Sequence, residues 1–152
     1  MTKVAIISDT HDVLRPQVVE KLKEADVILH AGDINSQETY KQLEVIAPVY
    51  AVRGNNDKDW AKDLPKSRVI QIENLNFYLV HDKKDISEDI KGVDVIIHGH
   101  SHRYEEGTTK DGILMLNPGS CGKKRFHNEL TMCFLIAGDD NYTFEKIVIK
   151  QE

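Results

Sequence analysis

Nine short apolar runs recur along the chain, and most of them are rich in valine and isoleucine. They occupy residues 4–8, 27–31, 48–52, 68–72, 77–80, 93–97, 113–117, 132–137 and 142–149. Runs of this length suit buried β-strands and are short for helices. Turn-forming residues separate many of them, so the pattern predicts a protein built mainly on strands.

Two longer segments carry apolar residues at helical spacing. Residues 15–25 present three apolar side chains on one face, and Pro16 falls in the first turn, where proline is well tolerated. Residues 36–46 begin with Ser36, a residue type that caps helix N-termini. Both predicted helices lie between the first three predicted strands.

Strand and helix alternate over the first third of the chain, which favours a parallel sheet joined by right-handed crossovers. The last third carries strands alone, with turn signals at Asp111-Gly112 and at residues 138–141. We therefore predict an α/β protein in which a parallel portion is followed by antiparallel strands. Because no repeat or linker interrupts the pattern, residues 1–152 are predicted to form a single domain.

The composition narrows the class of protein. A formal net charge of -5 leaves no global basic field, so we expect no stable complex with nucleic acids. Cys121 and Cys133 show no CxxC spacing, and two cysteines in 152 residues argue against a disulfide-stapled secreted fold. No stretch has the character of a signal peptide or the length of a membrane span. We expect a cytoplasmic protein without membrane contacts, whose antiparallel edge strands offer a pairing surface for a homo-oligomer.

Polar residues of the metal-ligand type directly follow five of the apolar runs. In open α/β sheets, ligands bind in the crevice beyond the carboxyl ends of the strands. Five unrelated surface turns would not each need aspartate, histidine or asparagine, whereas one site assembled from five strand ends would. The segments are Asp9-Thr10-His11, Gly32-Asp33, Arg53-Gly54-Asn55-Asn56-Asp57, His81-Asp82 and His98-Gly99-His100-Ser101-His102.

Seven of these residues are candidate metal ligands, which is more than one ion needs. Oxygen and nitrogen donors without thiolates suit Mn, Fe, Zn, Ni or Co. Two ions that share a bridging carboxylate would use all seven, and such ions lie about 3.5–4 Å apart. Any one residue taken alone is better explained as a surface turn or a cap, so the hypothesis rests on the set. The candidates are Asp9, His11, Asp33, Asn55, His81, His100 and His102.

Formal charge also indicates the class of substrate. Two divalent ions bring about +4, and Asp9 and Asp33 supply about -2 if the histidines are neutral. The surplus of about +2 matches one hydroxide and one phosphodiester anion. The count therefore favours an anionic substrate over a neutral one.

The ordered motifs DxH, GD, GNxD, a single histidine and GHxH resemble those of the calcineurin-like metallophosphoesterases. In this chain they stand as Asp9-Thr10-His11, Gly32-Asp33, Gly54-Asn55-Asn56-Asp57, His81 and Gly99-His100-Ser101-His102. The later Asn117-Pro118-Gly119-Ser120 narrows the resemblance to the small single-domain bacterial and archaeal phosphodiesterases, a branch that includes the eukaryotic retromer subunit. The resemblance spans nearly the whole chain.

The resemblance implies a four-layer α-β-β-α sandwich of two mixed sheets flanked by helices. It also implies that a small phosphodiester is hydrolysed by a hydroxide activated at a dinuclear metal centre. Manganese is the expected ion, with zinc, iron, nickel or cobalt as alternatives. In the family pattern, Asp33 bridges two ions whose ligand sets are Asp9, His11, Asp33 and His102, and Asp33, Asn55, His81 and His100.

Asn56 departs from the family pattern, because many members carry a histidine directly after the motif asparagine. That histidine serves as a general acid or a phosphate ligand, whereas an amide cannot donate a proton to a leaving alkoxide. With Asn56 and Asp33 as the catalytic residues, we expect slow turnover that is best with good leaving groups. The same departure motivates an alternative function, a catalytically weak or inactive metal-binding scaffold for protein interactions.

Arg53, Asp82 and His98 are candidates for contacting the substrate or for supporting the ligands through hydrogen bonds. Arg53 is explained equally well as an exposed cation at a strand end. Asp82 stands where relatives usually have glycine, and it either orients a histidine or begins a turn. Strand alternation would place His98 on the same face as His100 and His102.

Three other polar features of the sequence are interpreted as supporting or surface elements. Asp57 is expected to cap its loop, and His30 to be packed beside the site or to support it. The basic run at residues 123–125 is interpreted as a solvated loop, as a surface that guides an anionic substrate, or as a surface for a partner.

Overall fold

Two five-stranded β-sheets dominate the computed structural model, which describes residues 1–124 and 129–150. The strands are β1 (Thr2–Ile7), β2 (Val27–His30), β3 (Val49–Ala51), β4 (Ser67–Ile72), β5 (Leu75–Val80), β6 (Val95–Ile97), β7 (Tyr104–Thr108), β8 (Leu114–Pro118), β9 (Thr131–Ala137) and β10 (Tyr142–Val148). The helices are α1 (Pro16–Leu22) and α2 (Gln37–Ile46), with single 3-10 turns at Asp59–Ala61 and Lys83–Asp85.

The first sheet has the strand order β10-β9-β1-β2-β3. Its strands β1, β2 and β3 run parallel, and α1 and α2 form the two crossovers between them. On the other side of β1, β9 and β10 add as an antiparallel hairpin. The hairpin turns at residues 138–141, where the Gly138 amide donates to the Asn141 carbonyl, as the turn signal predicted.

The second sheet has the order β4-β5-β6-β8-β7 and is also mixed. Strands β5, β6 and β8 run parallel, while β4 and β7 pair antiparallel at the two edges. The prediction that the last strands are antiparallel is therefore wrong for β8 against β6, because an apolar pattern does not specify the partner strand. The Asp111-Gly112 turn is confirmed between β7 and β8, with Gly112 at a φ of +82°.

The main core lies between the two sheets. Alternate residues of the central strands point into it, including Val4 and Ile6 of β1 and Phe77 and Leu79 of β5. The intervening residues of β1, such as Ile7, face the opposite way and pack against α1 and α2. Strand alternation thus divides the apolar side chains of one strand between two layers.

The outer face of the second sheet is covered differently from that of the first. Tyr78, Val80 and Ile96 pack there against Ile86 and Ile90. The covering segment, residues 83–93, contains only a single 3-10 turn. The α/β sandwich of two mixed sheets is confirmed, and its α-helices lie on the first sheet among the described residues. No helix in residues 1–124 or 129–150 combines the length and apolar character needed to cross a bilayer.

The predicted elements match the observed ones with one omission. Both helices form, and Ser36 caps α2 by accepting a hydrogen bond from the Thr39 amide. Strand β7 was not predicted because its sequence, YEEGT, is polar and mostly exposed. The parallel strands of both sheets end at one edge of the sandwich, where the Gly99 amide donates to the His81 carbonyl across the ends of β5 and β6.

Candidate metal centre

The loops that follow β1 and β2 run side by side beyond the sheet. The Asp9 amide donates to the Gly32 carbonyl, and the His11 amide donates to the Asp33 carbonyl, each at 3.0 Å. Asp9, His11 and Asp33 adopt positive φ angles of 54°, 46° and 62°. Such left-handed backbone is uncommon for residues other than glycine, and it concentrates at functional sites. The uncommon backbone conformation therefore marks these three residues as candidates for a functional site.

Asp9 has one oxygen that is fully engaged and one that has no hydrogen-bond partner. Its Oδ2 accepts from the Ser8 hydroxyl at 2.7 Å and from the His100 amide at 2.9 Å. Its Oδ1 is buried without a hydrogen bond in the part of the chain that is described. Three imidazole nitrogens lie within 4 Å of it: Nε2 of His102 at 3.5 Å, and Nε2 of His11 and of His81 at 3.8 Å each.

Asp33 lies between the histidines of the two predicted ligand sets. Its Oδ2 is 3.5 Å from Nε2 of His11 and 3.3 Å from Nε2 of His81. Asn56 holds this carboxylate in place, since its backbone amide donates to Oδ1 at 2.8 Å and its side-chain amide donates to Oδ2 at 3.0 Å. A carboxylate in this position can bridge two ions, as the family pattern implies.

The imidazole nitrogens also converge in pairs. Nε2 of His11 lies 3.2 Å from Nε2 of His102, and Nδ1 of His100 lies 3.4 Å from Nε2 of His81. His81 is oriented by its other nitrogen, since Nδ1 lies 2.7 Å from the Ala31 carbonyl, which accepts hydrogen bonds only. Nδ1 therefore carries the proton, and in the neutral ring Nε2 is free to bind a metal.

The charges in this group are strongly coupled. Burial of the His81 ring opposes its protonation, but the carboxylates of Asp33 and Asp9 outweigh burial and raise its pKa to about 9. Burial alone would raise the pKa of Asp9, yet the nearby imidazole of His11 and the charge of His81 bring it below its ordinary value. Burial of Asp33 is likewise overcome by His81 and Asn56, so its pKa is low. Both carboxylates are ionised at neutral pH.

We call these six side chains the carboxylate–histidine cluster: Asp9, His11, Asp33, His81, His100 and His102. Within it, the ligand atoms of Asp9, His11 and His102 lie within 4.8 Å of one another, as do those of Asp9, Asp33 and His81. An unpartnered buried carboxylate oxygen that faces imidazole nitrogens fits a divalent cation. Asp9 belongs to both sets, although the family pattern assigns it to one ion.

Asn55 lies at the edge of this cluster. It is exposed and lines an open depression together with His81 and His100. The same depression is lined by Arg53 and Lys66, and the Arg53 amide donates to the Pro65 carbonyl at 2.8 Å. Sequence reasoning singled out Arg53 but not Lys66, because a lysine before a strand carries no signal by itself.

Asp82 begins a turn, as one of its two interpretations expected, and it lies near His100 but beyond hydrogen-bond distance. Its Oδ2 lies 3.8 Å from Nε2 of His100, and its Oδ1 accepts from the Lys84 amide at the start of a 3-10 turn. Asp82 also lines the depression, as does Asp85. The depression therefore carries charged groups of both signs next to the cluster.

His98 lies apart from the cluster, on the outer face of the second sheet. The alternation that would align it with His100 and His102 does not extend that far, because β6 ends at Ile97 and both later histidines have positive φ. His98 lines a separate depression with Lys83 and residues of β7. Burial there lowers its pKa.

Two residues support the loops as the sequence indicated. Asp57 accepts hydrogen bonds from the backbone amides of Asp33, Asn35 and Gly54, and so joins the loops after β2 and β3. Burial raises the pKa of Asp57. His30 is fully buried beside the cluster, and burial lowers its pKa to about 3, which keeps the ring neutral.

Ser8, Asn117 and Ser120 support the site but were not predicted as site residues. Ser8 bonds the Asp9 carboxylate, and Ser120 donates to the Asp9 carbonyl at 2.9 Å. Asn117 donates to the Gly99 carbonyl at 3.1 Å. The Asn117-Pro118-Gly119-Ser120 motif could have indicated the supporting roles of Asn117 and Ser120. A serine at a strand end carries no such signal, so Ser8 could not have been found from the sequence. Of the predicted basic run, Lys123 and Lys124 are exposed, and Arg125 lies outside the described residues.

Two glycines allow the loops to approach closely. A Cβ at Gly99 would collide with the Ser8 hydroxyl and would lie 2.8 Å from Oδ2 of Asp9. A Cβ at Gly54 would collide with the amide and carboxylate of Asp33. The glycines of the GNxD and GHxH motifs are therefore needed for space around the two carboxylates.

Residues 2–140 match the model of the calcineurin-like phosphoesterase superfamily domain, and the chain belongs to this family. A probable metallophosphoesterase from Methanothermobacter thermautotrophicus is 32% identical over 150 residues, covering 90% of this chain and 87% of the relative. The zinc-complexed Vps29 of Entamoeba histolytica matches with a TM-score of 0.75 and 24% identity, covering 96% and 98% of the two chains. The phosphoesterase Yfce from E. coli matches with a TM-score of 0.72 and 21% identity, covering 97% and 100%. These two structures share the fold of this chain.

The space at Gly99 leads to a first prediction. In Gly99→Ala, the added methyl would displace the Ser8 hydroxyl and the Asp9 carboxylate, so we expect the affinity for Mn²⁺ to fall by about 10–100-fold. Gly107→Ala in β7 is the control, because nothing lies within 4 Å of a Cβ there. Calorimetric titration of both folded variants measures the effect. Equal affinities would show that Asp9 does not depend on this contact.

The pKa of His81 leads to a second prediction. At pH 7 the ring is protonated, since its pKa is about 9, and a metal binds only the neutral ring. We therefore expect Mn²⁺ binding to release about one proton from His81 and to weaken as the pH falls below that pKa. Titration calorimetry in two buffers with different ionisation enthalpies measures this release. A binding heat that is independent of the buffer at pH 7 would contradict the expectation.

Proposed function

We propose that this protein is a metal-dependent phosphodiesterase that binds two divalent ions, with manganese as the activating ion. The observation that carries the proposal is the buried Oδ1 of Asp9, which has no hydrogen-bond partner among the described residues and faces imidazole nitrogens of three histidines. Family membership supports metal-dependent phosphoester hydrolysis in general. Diester specificity and two-ion stoichiometry are parts of the proposal.

The ligands would divide around the bridging Asp33. Asp9, His11 and His102 would complete one site, and Asn55, His81 and His100 would complete the other. Ions bound there would lower the pKa of a coordinated water and would neutralise charge on the phosphoryl oxygens. Zinc is an alternative ion, and the Vps29 of similar fold is a zinc complex.

The residues of the chain would bind and orient the substrate. Arg53 and Lys66 line the depression beside His81 and His100, where they would offset the carboxylates of Asp82 and Asp85 and give an anionic diester two cationic partners. Asn56 directs both of its N–H groups at Asp33 and so fixes the orientation of the bridging carboxylate. Because an amide cannot protonate a departing alkoxide, the leaving group would depart without a proton from Asn56.

A catalytically weak or inactive metal-binding scaffold is the second candidate function. Asn56, in place of the histidine of many family members, favours it. The fold similarity to Vps29 is compatible with it. The six residues of the carboxylate–histidine cluster favour the enzyme instead, because a scaffold has no need of so many metal ligands.

Substitution of Asp33 tests the phosphodiesterase. We expect the wild type to hydrolyse bis(p-nitrophenyl) phosphate in the presence of Mn²⁺. In Asp33→Asn we expect this activity to fall by more than about 100-fold, because loss of a metal ligand should cost more than loss of a group that supports a ligand. Asp140→Asn, an exposed hairpin residue, is the control for loss of one negative charge. Metal content of both variants is measured alongside activity. Full Mn²⁺ occupancy of the wild type without hydrolysis of any diester would favour the scaffold.

Substitution of Asn56 tests the missing general acid. We expect Asn56→His to raise kcat for alkyl phosphodiesters by up to about 10²-fold, which is the lower end of the range for general acid–base catalysis. The nitrophenyl diester serves as the control substrate, because its leaving group needs no proton and its kcat should change little. An equal change for both substrates would show that residue 56 acts through the position of Asp33 instead.

A further inference from the structure

His30 is a buried histidine that the proposed reaction does not use. It ends β2, its ring is fully buried, and both of its nitrogens contact the loops that carry the metal ligands. Nδ1 lies 3.0 Å from the backbone amide of Gly32, and Nε2 lies 3.0 Å from the Thr10 hydroxyl. Thr10 stands between Asp9 and His11, and Gly32 directly precedes Asp33.

The Gly32 contact determines the tautomer of this ring. A backbone N–H can only donate, so Nδ1 must accept and carries no hydrogen. The hydrogen of the neutral ring is therefore on Nε2, which donates to the Thr10 hydroxyl. Each nitrogen bonds a different loop, so one rigid ring links the two loops.

We propose that His30 is a positioning residue that fixes the loop bearing Asp9 and His11 relative to the loop bearing Asp33. The inference rests on the metal centre of the proposed function. Three backbone hydrogen bonds between these loops set their register, while the ring of His30 sets how they sit on the end of β2. Both carboxylates of the cluster thereby depend on one side chain that touches neither of them.

An apolar side chain of similar size could not take this place without a penalty. It would fill the volume but would leave the Gly32 amide and the Thr10 hydroxyl without this partner in a buried setting. Asparagine is a more selective replacement. Its short amide can reach the Gly32 amide but not the Thr10 hydroxyl, so His30→Asn removes one of the two links.

The test is a double-mutant cycle on Mn²⁺ affinity. His30→Asn and Thr10→Val remove the same hydrogen bond from its two ends, so each should lower the affinity by about 10–100-fold. The double variant should bind no more weakly than the weaker single variant, because the link is already lost. Thr10→Ser, which keeps the hydroxyl, should bind like the wild type. His98→Asn is the matched control, because His98 is buried on the outer face of the second sheet.

Affinity is measured from the electron paramagnetic resonance signal of free Mn²⁺, on variants whose folding is verified by thermal unfolding. Additive losses in the double variant, or a folded Thr10→Val with wild-type affinity, would overturn the role of His30. If His30→Asn does not fold, the contrast between Thr10→Val and Thr10→Ser decides. Nitrogen-15 correlation spectra of the metal-free wild type should show His30 protonated at Nε2, and protonation at Nδ1 would also overturn the proposal. A wild type that binds neither Mn²⁺ nor Zn²⁺ would refute the metal centre itself.

Discussion

The site depends on two buried carboxylates that need a cation. Asp9 and Asp33 are ionised in a pocket where water is scarce, and one oxygen of Asp9 has no hydrogen-bond partner in the described chain. A buried ionised carboxylate is costly unless it is paired or coordinated. Protonation of His81 offers partial relief, which is why its pKa is raised. Divalent ions would supply the missing charge, and they would use the imidazole nitrogens as ligands instead of as proton carriers.

The backbone around these carboxylates is held in an uncommon shape. Asp9, His11, Asp33, His100 and His102 all have positive φ, and residues in such conformations cost about 1–3 kcal/mol each. The sandwich core and a set of supporting groups stabilise them, including Asp57 and Ser120 on the backbone. Glycines 54 and 99 leave room where the loops meet. The supporting contacts hold the loops in these conformations, and the conformations direct the metal-ligand side chains toward a common centre.

The structure gives Asn56 a role that the family comparison alone did not suggest. Compared with histidine it lacks a transferable proton, but its two N–H groups hold both oxygens of Asp33. Asn56 therefore orients the Asp33 carboxylate, and under the proposed function it would give a leaving group no proton. Under the proposed function, Arg53 and Lys66 in the adjoining depression would attract an anionic substrate beside the carboxylates of Asp82 and Asp85.

The sequence alone determined the strand and helix order, the ligand types and their place at strand ends, because apolar periodicity and residue chemistry are local properties. It could not determine that β8 pairs parallel with β6, or that YEEGT forms an edge strand, because partner choice depends on the whole sheet. Alternation also misplaced His98, since it fails once β6 ends and the loop turns to positive φ. Only the tertiary structure decided which nitrogens of His30 and His81 are engaged, and that Lys66 and Ser8 join the site. Those facts depend on distances between segments far apart in the chain, which no local pattern records.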